Sequence, residues 1–291
     1  CIRDRSGTMC NQISLAVHCG AGDEIIADRS AHIINSEAGG PAVLSRALVH
    51  ALDGDCGMFD AKDVQEAIRA NTYHAPRSRL VVVEQTSNRG GGAIWPLPTL
   101  QGVATVAREH GLNLHMDGAR LMNAVVASDI SASDFAATVD SLWLDLSKGL
   151  GCPVGAVLAG THEFIDEAWR WKHRIGGAMR QAGIIAAAGS WALANHVERL
   201  ADDHSNARQF AKRISKISGV QLVNEDVQTN LIFFKVSGSQ LSAQDISARL
   251  REQGVWIGAI DSERMRAVTH LDISRDDVNE AADRLADVIS A

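Results

Sequence analysis

Short apolar runs alternate with amphipathic stretches from residue 8 to about residue 200 of the chain. The apolar runs hold few polar positions, which is typical of strands buried on both faces of a mostly parallel sheet. The pattern predicts strands at 24–28, 47–52, 79–85, 113–117, 141–146 and 154–160. It predicts helices at 62–70, 98–110 and 161–174. This alternation indicates an α/β fold in which crossover helices flank the sheet.

The pattern changes after residue 217, where short strand-like runs and two amphipathic helices form a compact α+β unit. We therefore predict a large domain at residues 1–200 and a small C-terminal domain at residues 201–291, with the boundary between Leu200 and Asn206. The longest apolar run, at 182–194, is rich in glycine and alanine and is too short to span a membrane. It predicts a closely packed core helix.

Composition limits the classes of partner. The chain has 291 residues and a net charge of −7, from 28 basic and 35 acidic residues. This balance argues against nucleic acid or an anionic membrane and favours a small-molecule substrate. The five cysteines lack a Cys-x-x-Cys pair, which fits a reducing compartment and predicts the cytosol. They are Cys1, Cys10, Cys19, Cys56 and Cys152.

Lys148 and Asp117 are the first candidates for chemistry. Lys148 ends an apolar strand pattern and precedes a glycine-rich turn, an arrangement that presents an amine to a ligand as in a Schiff-base lysine. Asp117 ends another strand, where a carboxylate could hold a pyridinium nitrogen protonated. Together they indicate pyridoxal phosphate. From spacing alone, a surface lysine and an ordinary helix cap fit equally well.

Two further segments carry candidate ligands. Ser6, Gly7 and Thr8 open a helical pattern, so they could bind a phosphate at the helix N-terminus or act as a plain cap. Arg120 begins another predicted helix, where the helix dipole disfavours a cation, which suggests a role in binding. The histidines have no spacing typical of metal ligands, and we predict no catalytic metal.

Seven segments, in order, carry a resemblance to a known family. The chain resembles the threonine aldolase and β-eliminating lyase family of fold-type-I pyridoxal phosphate enzymes, and the segments span nearly all of it. They are SGTMCNQ (6–12), AHIINSEAGG (31–40), EQTSNRGGG (84–92), HMDGARLMNA (115–124), DLSKGLGCPVGAVLAG (145–160), GGAMRQAGIIAAAG (176–189) and RAVTHLDIS (266–274).

The resemblance implies roles for the site residues. Lys148 would carry the cofactor, Asp117 would contact its ring nitrogen, and the segment from Ser6 to Thr8, with Gly7, would bind its phosphate. His32 matches a histidine that stacks on the pyridine ring and assists proton transfer.

The same resemblance implies residues for the substrate and for a partner subunit. Arg120 lies beside the cofactor in the family and, with Arg266, would bind the substrate carboxylate. Arg180 matches an arginine that reaches the cofactor site of a neighbouring protomer. A homo-oligomer, dimer or tetramer, with shared active sites is therefore expected.

Two departures from the family pattern bear on activity. Ser87 stands where the family usually has a histidine, a candidate partner of the substrate β-hydroxyl, and serine is a poor base near neutral pH. Family members usually have several dozen residues before the Ser-Gly-Thr segment, so an N-terminally truncated chain is expected here.

The resemblance implies an enzyme of amino acid metabolism. The expected function is cleavage of L-threonine, L-allo-threonine or a related β-hydroxy-α-amino acid into glycine and an aldehyde, with pyridoxal 5'-phosphate as cofactor. Two alternatives stay open: β-elimination on the same cofactor, and an inactive truncated fragment of the family. The missing histidine leaves the first open, and the short N-terminus leaves the second.

Overall fold

The computed structural model of the chain describes residues 1–238 and 240–290, with Arg3 described without its side chain. The chain divides into two compact units, Cys1–Val197 and Glu198–Ala291. The predicted boundary at 200–206 lies inside a helix of the second unit, Leu200–Ile214. That helix buries Phe210 and Ile214 in the apolar core of the second unit, so the division falls before it.

A seven-stranded mixed sheet forms the centre of the first unit, with the spatial order β1-β7-β6-β5-β4-β2-β3. The neighbours from β3 to β6 are parallel, and β7 is antiparallel to both β6 and β1. The strands are β1 (Ile2–Asp4), β2 (Asp23–Asp28), β3 (Leu48–Leu52), β4 (Arg77–Glu84), β5 (Asn113–Gly118), β6 (Ser141–Asp145) and β7 (Ala156–Gly160). The predicted α/β fold with a mostly parallel sheet is confirmed.

Helices connect the strands of the first unit, as parallel neighbours require. They are α1 (Gly7–His18), α2 (His32–Asn35), α3 (Ala61–Ala67), α4 (Leu97–Glu109), α5 (Leu121–Ser128), α6 (Ala132–Ala136), α7 (His162–Arg174) and α8 (Gly183–Asn195), with a π-helical turn at Pro41–Ser45. The polar caps Asp60, Ser131 and Thr161 accept hydrogen bonds from backbone N–H groups of α3, α6 and α7. The packing of α4 against the sheet buries Leu100, Val103 and Ala107.

The first strand is absent from the predicted pattern. β1 pairs antiparallel with β7, Ile2 facing Leu158, and leads directly into α1. Its last residue, Asp4, is buried and pairs with the buried Lys172 of α7, Nζ to Oδ1 3.2 Å. The charged residues at 170–174 would suggest a solvated helix face. Lys172 in this stretch is instead buried and links α7 to β1 through Asp4.

The predicted core helix at 182–194 forms as α8, but its burial is wrong. Only Gly189 and Ala192 of this helix are buried, whereas Ile184, Trp191 and Leu193 are 82%, 58% and 41% exposed. The sequence predicted burial because apolar residues occur all round the helix. Within this chain, most of that surface is not covered.

The second unit is a small antiparallel sheet with helices. Its order is β10-β11-β9-β8. The elements are α9 (Leu200–Ile214), β8 (Val220–Leu222), β9 (Leu231–Val236), α10 (Ala243–Glu252), β10 (Gly258–Ala259), β11 (Arg264–Val268) and α11 (Arg275–Ser290). Phe234, Ile246, Met265 and Leu285 are fully buried in one apolar core.

Within residues 1–238 and 240–290, no helix is both long and apolar enough to cross a membrane.

Candidate active site

A cavity of about 290 Å³ lies where three neighbouring strands of the first unit end. Glu84, Asp117 and Asp145 close β4, β5 and β6, and all three line this cavity. The carboxyl ends of parallel strands are the usual place for a ligand in an α/β sheet, because the connections diverge there. We call this space the strand-end cavity.

Lys148 lines the strand-end cavity from the turn after β6. Its Nζ lies 3.3 Å from Oδ2 of Asp145 and 5.5 Å from the centre of the Trp143 ring. The other Asp145 oxygen accepts hydrogen bonds from the backbone N–H and hydroxyl of Ser147, at 2.7 and 2.9 Å. The turn therefore fixes Asp145, and Asp145 holds the lysine amine at the cavity.

Asp117 is buried at the end of β5. One carboxylate oxygen accepts from Nδ2 of Asn11 at 2.8 Å, and the other accepts from the Ala119 N–H at 3.1 Å. Burial raises the pKa of Asp117, whereas the charge of Lys148 and the Asn11 hydrogen bond act to lower it. The structure thus places the predicted lysine and aspartate in one cavity.

His32 begins α2 at the same cavity and is half-buried. Its Nδ1 lies 2.7 Å from Oε1 of Glu37, and its backbone N–H donates to Glu84. The hydrogen bond to Glu37 raises the pKa of His32. Burial raises the pKa of Glu84 to about 7, and the nearby charge of Asp117 acts in the same direction.

Ser6, Gly7 and Thr8 line the cavity at the start of α1, and so does Arg5. Ser6 caps the helix, since its Oγ accepts from the Met9 N–H at 3.2 Å. A Cβ atom on Gly7 would overlap the Trp143 ring, so only glycine permits this close approach of α1 to β6. The plain cap and the phosphate site are therefore compatible here, because the cap uses one helix N–H and leaves others for an anion.

Three more lining residues bring polar groups to the cavity. Arg120 is buried and directly precedes α5, and its backbone N–H donates to the Gln85 carbonyl at 3.0 Å. Oγ1 of Thr86 and Oδ1 of Asn88 are buried and make no hydrogen bond within the described residues. Buried polar atoms of this kind are normally satisfied, which marks them as places for a polar ligand.

Two predicted site residues of the first unit do not line the strand-end cavity. Ser87 is buried between the two lining residues Thr86 and Asn88, and its Oγ lies within 3.3 Å of the Gly90 N–H. Arg180 is exposed in the segment before α8.

Another predicted site residue, Arg266, belongs to β11 of the second unit. It is half-buried rather than exposed, with its guanidinium 5.8 Å from the Phe233 ring centre. Burial lowers the pKa of its side chain. The predicted roles of Ser87, Arg180 and Arg266 stay predictions.

Several residues that line the cavity or contact its lining residues were missed by the sequence analysis. Glu84 and Asp145 end apolar strands as Asp117 does, so their position was a usable signal. Asn11 and Glu37 had none, because their contacts join residues far apart in the sequence: Asn11 and Asp117 are separated by 106 positions. Arg5 lay in a segment without a recognisable pattern.

His32, Glu37 and Asp117 bring ligand atoms within 4.8 Å of one another, a grouping that could hold a metal ion. The hydrogen bonds to these residues bear on the prediction of no catalytic metal. The amide nitrogen of Asn11 donates to both carboxylates, at 2.7 Å to Glu37 and 2.8 Å to Asp117. These donors can hold the oxygens together without a cation.

An amine, a buried carboxylate and an open helix start converge on one cavity, and unsatisfied polar atoms line it. This set fits pyridoxal phosphate, which needs a lysine, an acidic partner for its ring nitrogen and an anion site for its phosphate. The fold and site thus define a fold-type-I pyridoxal phosphate enzyme.

Sequence comparisons agree with this class. The sequence model of the beta-eliminating lyase family matches residues 4–237, and the chain belongs to that family. It is 38% identical over 278 residues to the low specificity L-threonine aldolase of Escherichia coli (strain K12), covering 95% of this chain and 80% of that one. It is 35% identical over 282 residues to low-specificity L-threonine aldolase 1 of Arabidopsis thaliana, covering 94% and 78%.

Solved structures share the fold. The threonine aldolase of Leishmania major superposes with a TM-score of 0.84 at 19% identity, covering 99% of this chain and 83% of that one. The cystine C-S lyase C-DES superposes with a TM-score of 0.74, also at 19% identity, covering 98% and 81%. At these identities the likeness concerns the fold alone.

Proposed function

We propose that the chain is a pyridoxal phosphate-dependent aldolase that cleaves L-threonine, L-allo-threonine or a related β-hydroxy-α-amino acid into glycine and an aldehyde. The observation that carries the proposal is the convergence of Lys148, Asp117 and His32 on the strand-end cavity. The relatives named as L-threonine aldolases, at 35% and 38% identity, support this substrate class.

Each side of the cavity has its own task in this proposal. The Lys148 amine would hold the cofactor covalently, and Asp117 would pair with its ring nitrogen. The backbone N–H groups of the segment from Ser6 to Thr8 would hold its phosphate, helped by the positive end of α1. When bound, pyridoxal phosphate supplies an electron sink for the pair of electrons left by the broken bond.

His32 is suited to take the proton of the β-hydroxyl. A Glu37 carboxylate can only accept, so the contact at 2.7 Å places the imidazole proton on Nδ1. Nε2 is then the basic nitrogen, in a residue that lines the cavity. Glu37 also accepts from the amides of Asn11 and Gln12, which keeps it in place. This arrangement orients the base as a carboxylate orients a catalytic histidine elsewhere.

Arginine residues would bind the substrate carboxylate. Arg120 lies in the cavity lining and is suited to it by its planar fork of donors. Arg266 is proposed as a second carboxylate ligand on the ground of family resemblance. Thr86 and Asn88 line the cavity at the turn after β4, and their buried Oγ1 and Oδ1 atoms would contact a substrate hydroxyl.

A product assay tests the proposed reaction. Threonine, allo-threonine and phenylserine isomers should give glycine and an aldehyde, and Lys148→Ala should give neither. Ammonia without aldehyde would contradict the aldolase assignment. A chain that shows no visible absorbance with pyridoxal phosphate and no product would instead be an inactive member of the family.

β-Elimination is a second candidate, because the family to which the chain belongs is described as beta-eliminating lyases. In that reaction Lys148 would remove the α-proton of an amino acid with a leaving group on its β-carbon. The serine at position 87 supports it, since the family resemblance implies a histidine there as the partner of the substrate β-hydroxyl. Release of ammonia from β-substituted substrates, faster than aldol cleavage, would favour this candidate.

We also propose a homo-oligomer, dimer or tetramer. The exposed apolar residues of α8 form a surface that water would disfavour, and Arg180 lies exposed just before it. A second copy of the chain would cover this surface and receive Arg180 near its own cofactor. Sedimentation should show an oligomer, and Trp191→Glu should shift it toward the monomer. A monomeric unsubstituted chain would contradict the proposal.

A cytosolic location is proposed on the cysteine pattern. Cys1, Cys10, Cys19, Cys56 and Cys152 are all free thiols, two of them with access to solvent. Free thiols persist in reducing compartments. Fractionation of cells that express the tagged protein tests this location.

A further inference from the structure

A row of buried polar side chains runs beneath the strand-end cavity and ends on Asp117. It begins at His18, whose Nε2 lies 2.7 Å from the hydroxyl of Ser141. That hydroxyl lies 2.8 Å from Nδ1 of His115, and Nε2 of His115 lies 3.2 Å from Oδ1 of Asn11. The Asn11 amide nitrogen then reaches the Asp117 carboxylate at 2.8 Å. Four residues on three elements, α1, β5 and β6, thus connect to the ring-nitrogen partner.

The orientation of the Asn11 amide is fixed by a donor that cannot accept. Nε1 of Trp143 lies 2.7 Å from Oδ1 of Asn11, and an indole N–H can only donate. The oxygen of the amide therefore faces Trp143. Its nitrogen then faces the carboxylates of Glu37 and Asp117, with one N–H for each.

The same logic sets the proton on each histidine. Since Oδ1 of Asn11 accepts, Nε2 of His115 carries the proton and Nδ1 accepts from the Ser141 hydroxyl. The oxygen of Ser141 in turn accepts from Nε2 of His18. This assignment requires His115 to be neutral, and burial lowers its pKa to about 3. Every donor in the row thus has an acceptor, and the direction of donation leads from His18 toward Asp117.

The last bond in the row acts on Asp117 against its burial. Burial alone favours the protonated carboxyl, which would present a proton instead of a charge to a pyridine nitrogen. Asn11 and the Ala119 N–H give the carboxylate one donor on each oxygen, and such donors stabilise the ionised form.

We propose that Asn11 is a positioning residue that keeps the Asp117 carboxylate ionised and directed at the ring nitrogen of pyridoxal phosphate. The inference rests on the proposed function, because it needs the cofactor ring in the strand-end cavity. Asn11 lies below Asp117 and is absent from the cavity lining, so it acts through the aspartate. Trp143, His115, Ser141 and His18 hold it in this orientation.

The neighbouring residue provides a matched control. Gln12 is also a buried amide of α1 and also donates to Glu37. Asn11 alone of these two contacts Asp117. Replacing each by leucine therefore removes a buried amide of nearly equal chemistry, and only one replacement removes the donor of Asp117.

The test measures binding of two cofactor forms to the whole chain. One is pyridoxal phosphate, and the other is its carbocyclic analogue, in which a C–H group replaces the ring nitrogen. Asn11→Leu should weaken pyridoxal phosphate about tenfold to a hundredfold, the range for loss of a hydrogen bond to a charged group, while the analogue changes less than about threefold. Gln12→Leu should change both forms by the same factor.

Asn11→Ala is the second variant, since it leaves space instead of adding bulk should leucine prevent folding. It should show the same selective loss, with circular dichroism confirming the fold. Equal loss of both cofactor forms in the Asn11 variants, or the same selective loss in Gln12→Leu, would overturn the inference while the proposed function stands. Failure of the unsubstituted chain to bind either form would overturn the proposed function itself.

Discussion

The sheets of the two units differ in the side chains that their strands bury, which include carboxylates in the first unit and are apolar in β9 and β11 of the second. In the first unit, three neighbouring strands end in the carboxylates Glu84, Asp117 and Asp145, which are only 7%, 2% and 7% exposed. In the second unit, the buried positions described in β9 and β11 are all apolar, as at Phe234 and Met265. Both sheets pack against helices over apolar cores, so packing alone does not require buried carboxylates.

The difference indicates that the buried carboxylates of the candidate active site lower the stability of the fold at that place. A buried carboxylate costs free energy unless hydrogen bonds or cations offset its lost hydration. Asp117 and Glu84 accept such hydrogen bonds, yet burial still raises the pKa of both. Buried carboxylates with raised pKa values at neighbouring strand ends, lining one cavity, are typical of a catalytic site.

The largest effect is expected at Lys148. Lys148→Ala should abolish the visible absorbance with pyridoxal phosphate and lower turnover by at least about a thousandfold, because the covalent attachment is lost. Borohydride reduction and peptide mapping of the unsubstituted chain should find the cofactor on Lys148. Label on Lys172, the buried lysine paired with Asp4, would contradict the assignment.

The next largest effect is expected for one of two buried aspartates, Asp117 of the first unit and Asp203 of the second. Asp117→Asn should lower turnover by about a hundredfold or more and lower the free energy of unfolding by less than about 1 kcal/mol, because removal of a buried charge offsets the loss of one of the two accepted hydrogen bonds. Asp203→Asn in α9 breaks the ion pair with Arg199 and should instead lower stability by about 1 to 3 kcal/mol.

Denaturant unfolding and cofactor binding separate the two outcomes. Asp203→Asn should leave cofactor absorbance per folded chain unchanged. If Asp117→Asn lowers stability as much as Asp203→Asn does, Asp117 would be a residue that stabilises the fold and not one that serves the cofactor.

A smaller effect is expected from the pH dependence of Glu84. Its carboxyl has a pKa of about 7 in the folded chain and 4.5 as the ordinary value, so the folded state binds the proton more tightly. Stability contributed by this group is then full below about pH 4.5 and is lost as the pH rises to about 7. Glu84→Gln should remove this decline, worth up to about 3 kcal/mol.

Unfolding of the cofactor-free chain at several pH values measures that decline. Glu66→Gln on the exposed face of α3 is the control and should keep the decline of the unsubstituted chain. An unchanged slope in Glu84→Gln would mean that the carboxyl does not titrate in this window.

The smallest effect is expected at Ser87. On sequence alone, Ser87→His would restore the family histidine and raise turnover. The structure places Ser87 Oγ so close to Gly57 and Gly90 that a Cβ atom on either glycine would overlap it. An imidazole there should cost about 1 to 3 kcal/mol by overpacking and should not raise turnover. Faster aldol cleavage with unchanged stability would restore the original prediction.

The parts of the fold that local pattern controls were predictable. Strands β2, β5 and β6 lie within a residue or two of the predicted ranges, because their apolar runs are continuous and end in polar residues. β1 is three residues long and is defined only by pairing with Leu158 and its neighbours, so no local signal could reveal it. The predicted burial of α8 was wrong, because apolar residues on all sides of a helix do not indicate which side is covered.

The site divides in the same way. Lys148 and Asp117 were singled out because a strand end followed by a turn has a local pattern, and the family resemblance was needed to favour a cofactor role over a surface lysine and a helix cap. Glu37 and Asn11 were not found, since their importance lies in contacts with His32 and Asp117 that only the tertiary fold creates. Ser87 was assigned to the substrate by resemblance to the family histidine, and that role stays a prediction, with Ser87 lying between the lining residues Thr86 and Asn88.

The pairing of β1 with β7 also sets the order in which the site can assemble. Ile2 and Asp4 meet their partners Leu158 and Ala156 only after more than half of the chain has been synthesised. Until then, the start of α1 has no strand to anchor it, and contacts this distant in sequence close slowly. A ribosome-bound nascent chain therefore already contains Lys148 and the segment from Ser6 to Thr8 before β1 can pair with β7. Cofactor capture is expected to be a late event, following the folding of the first unit.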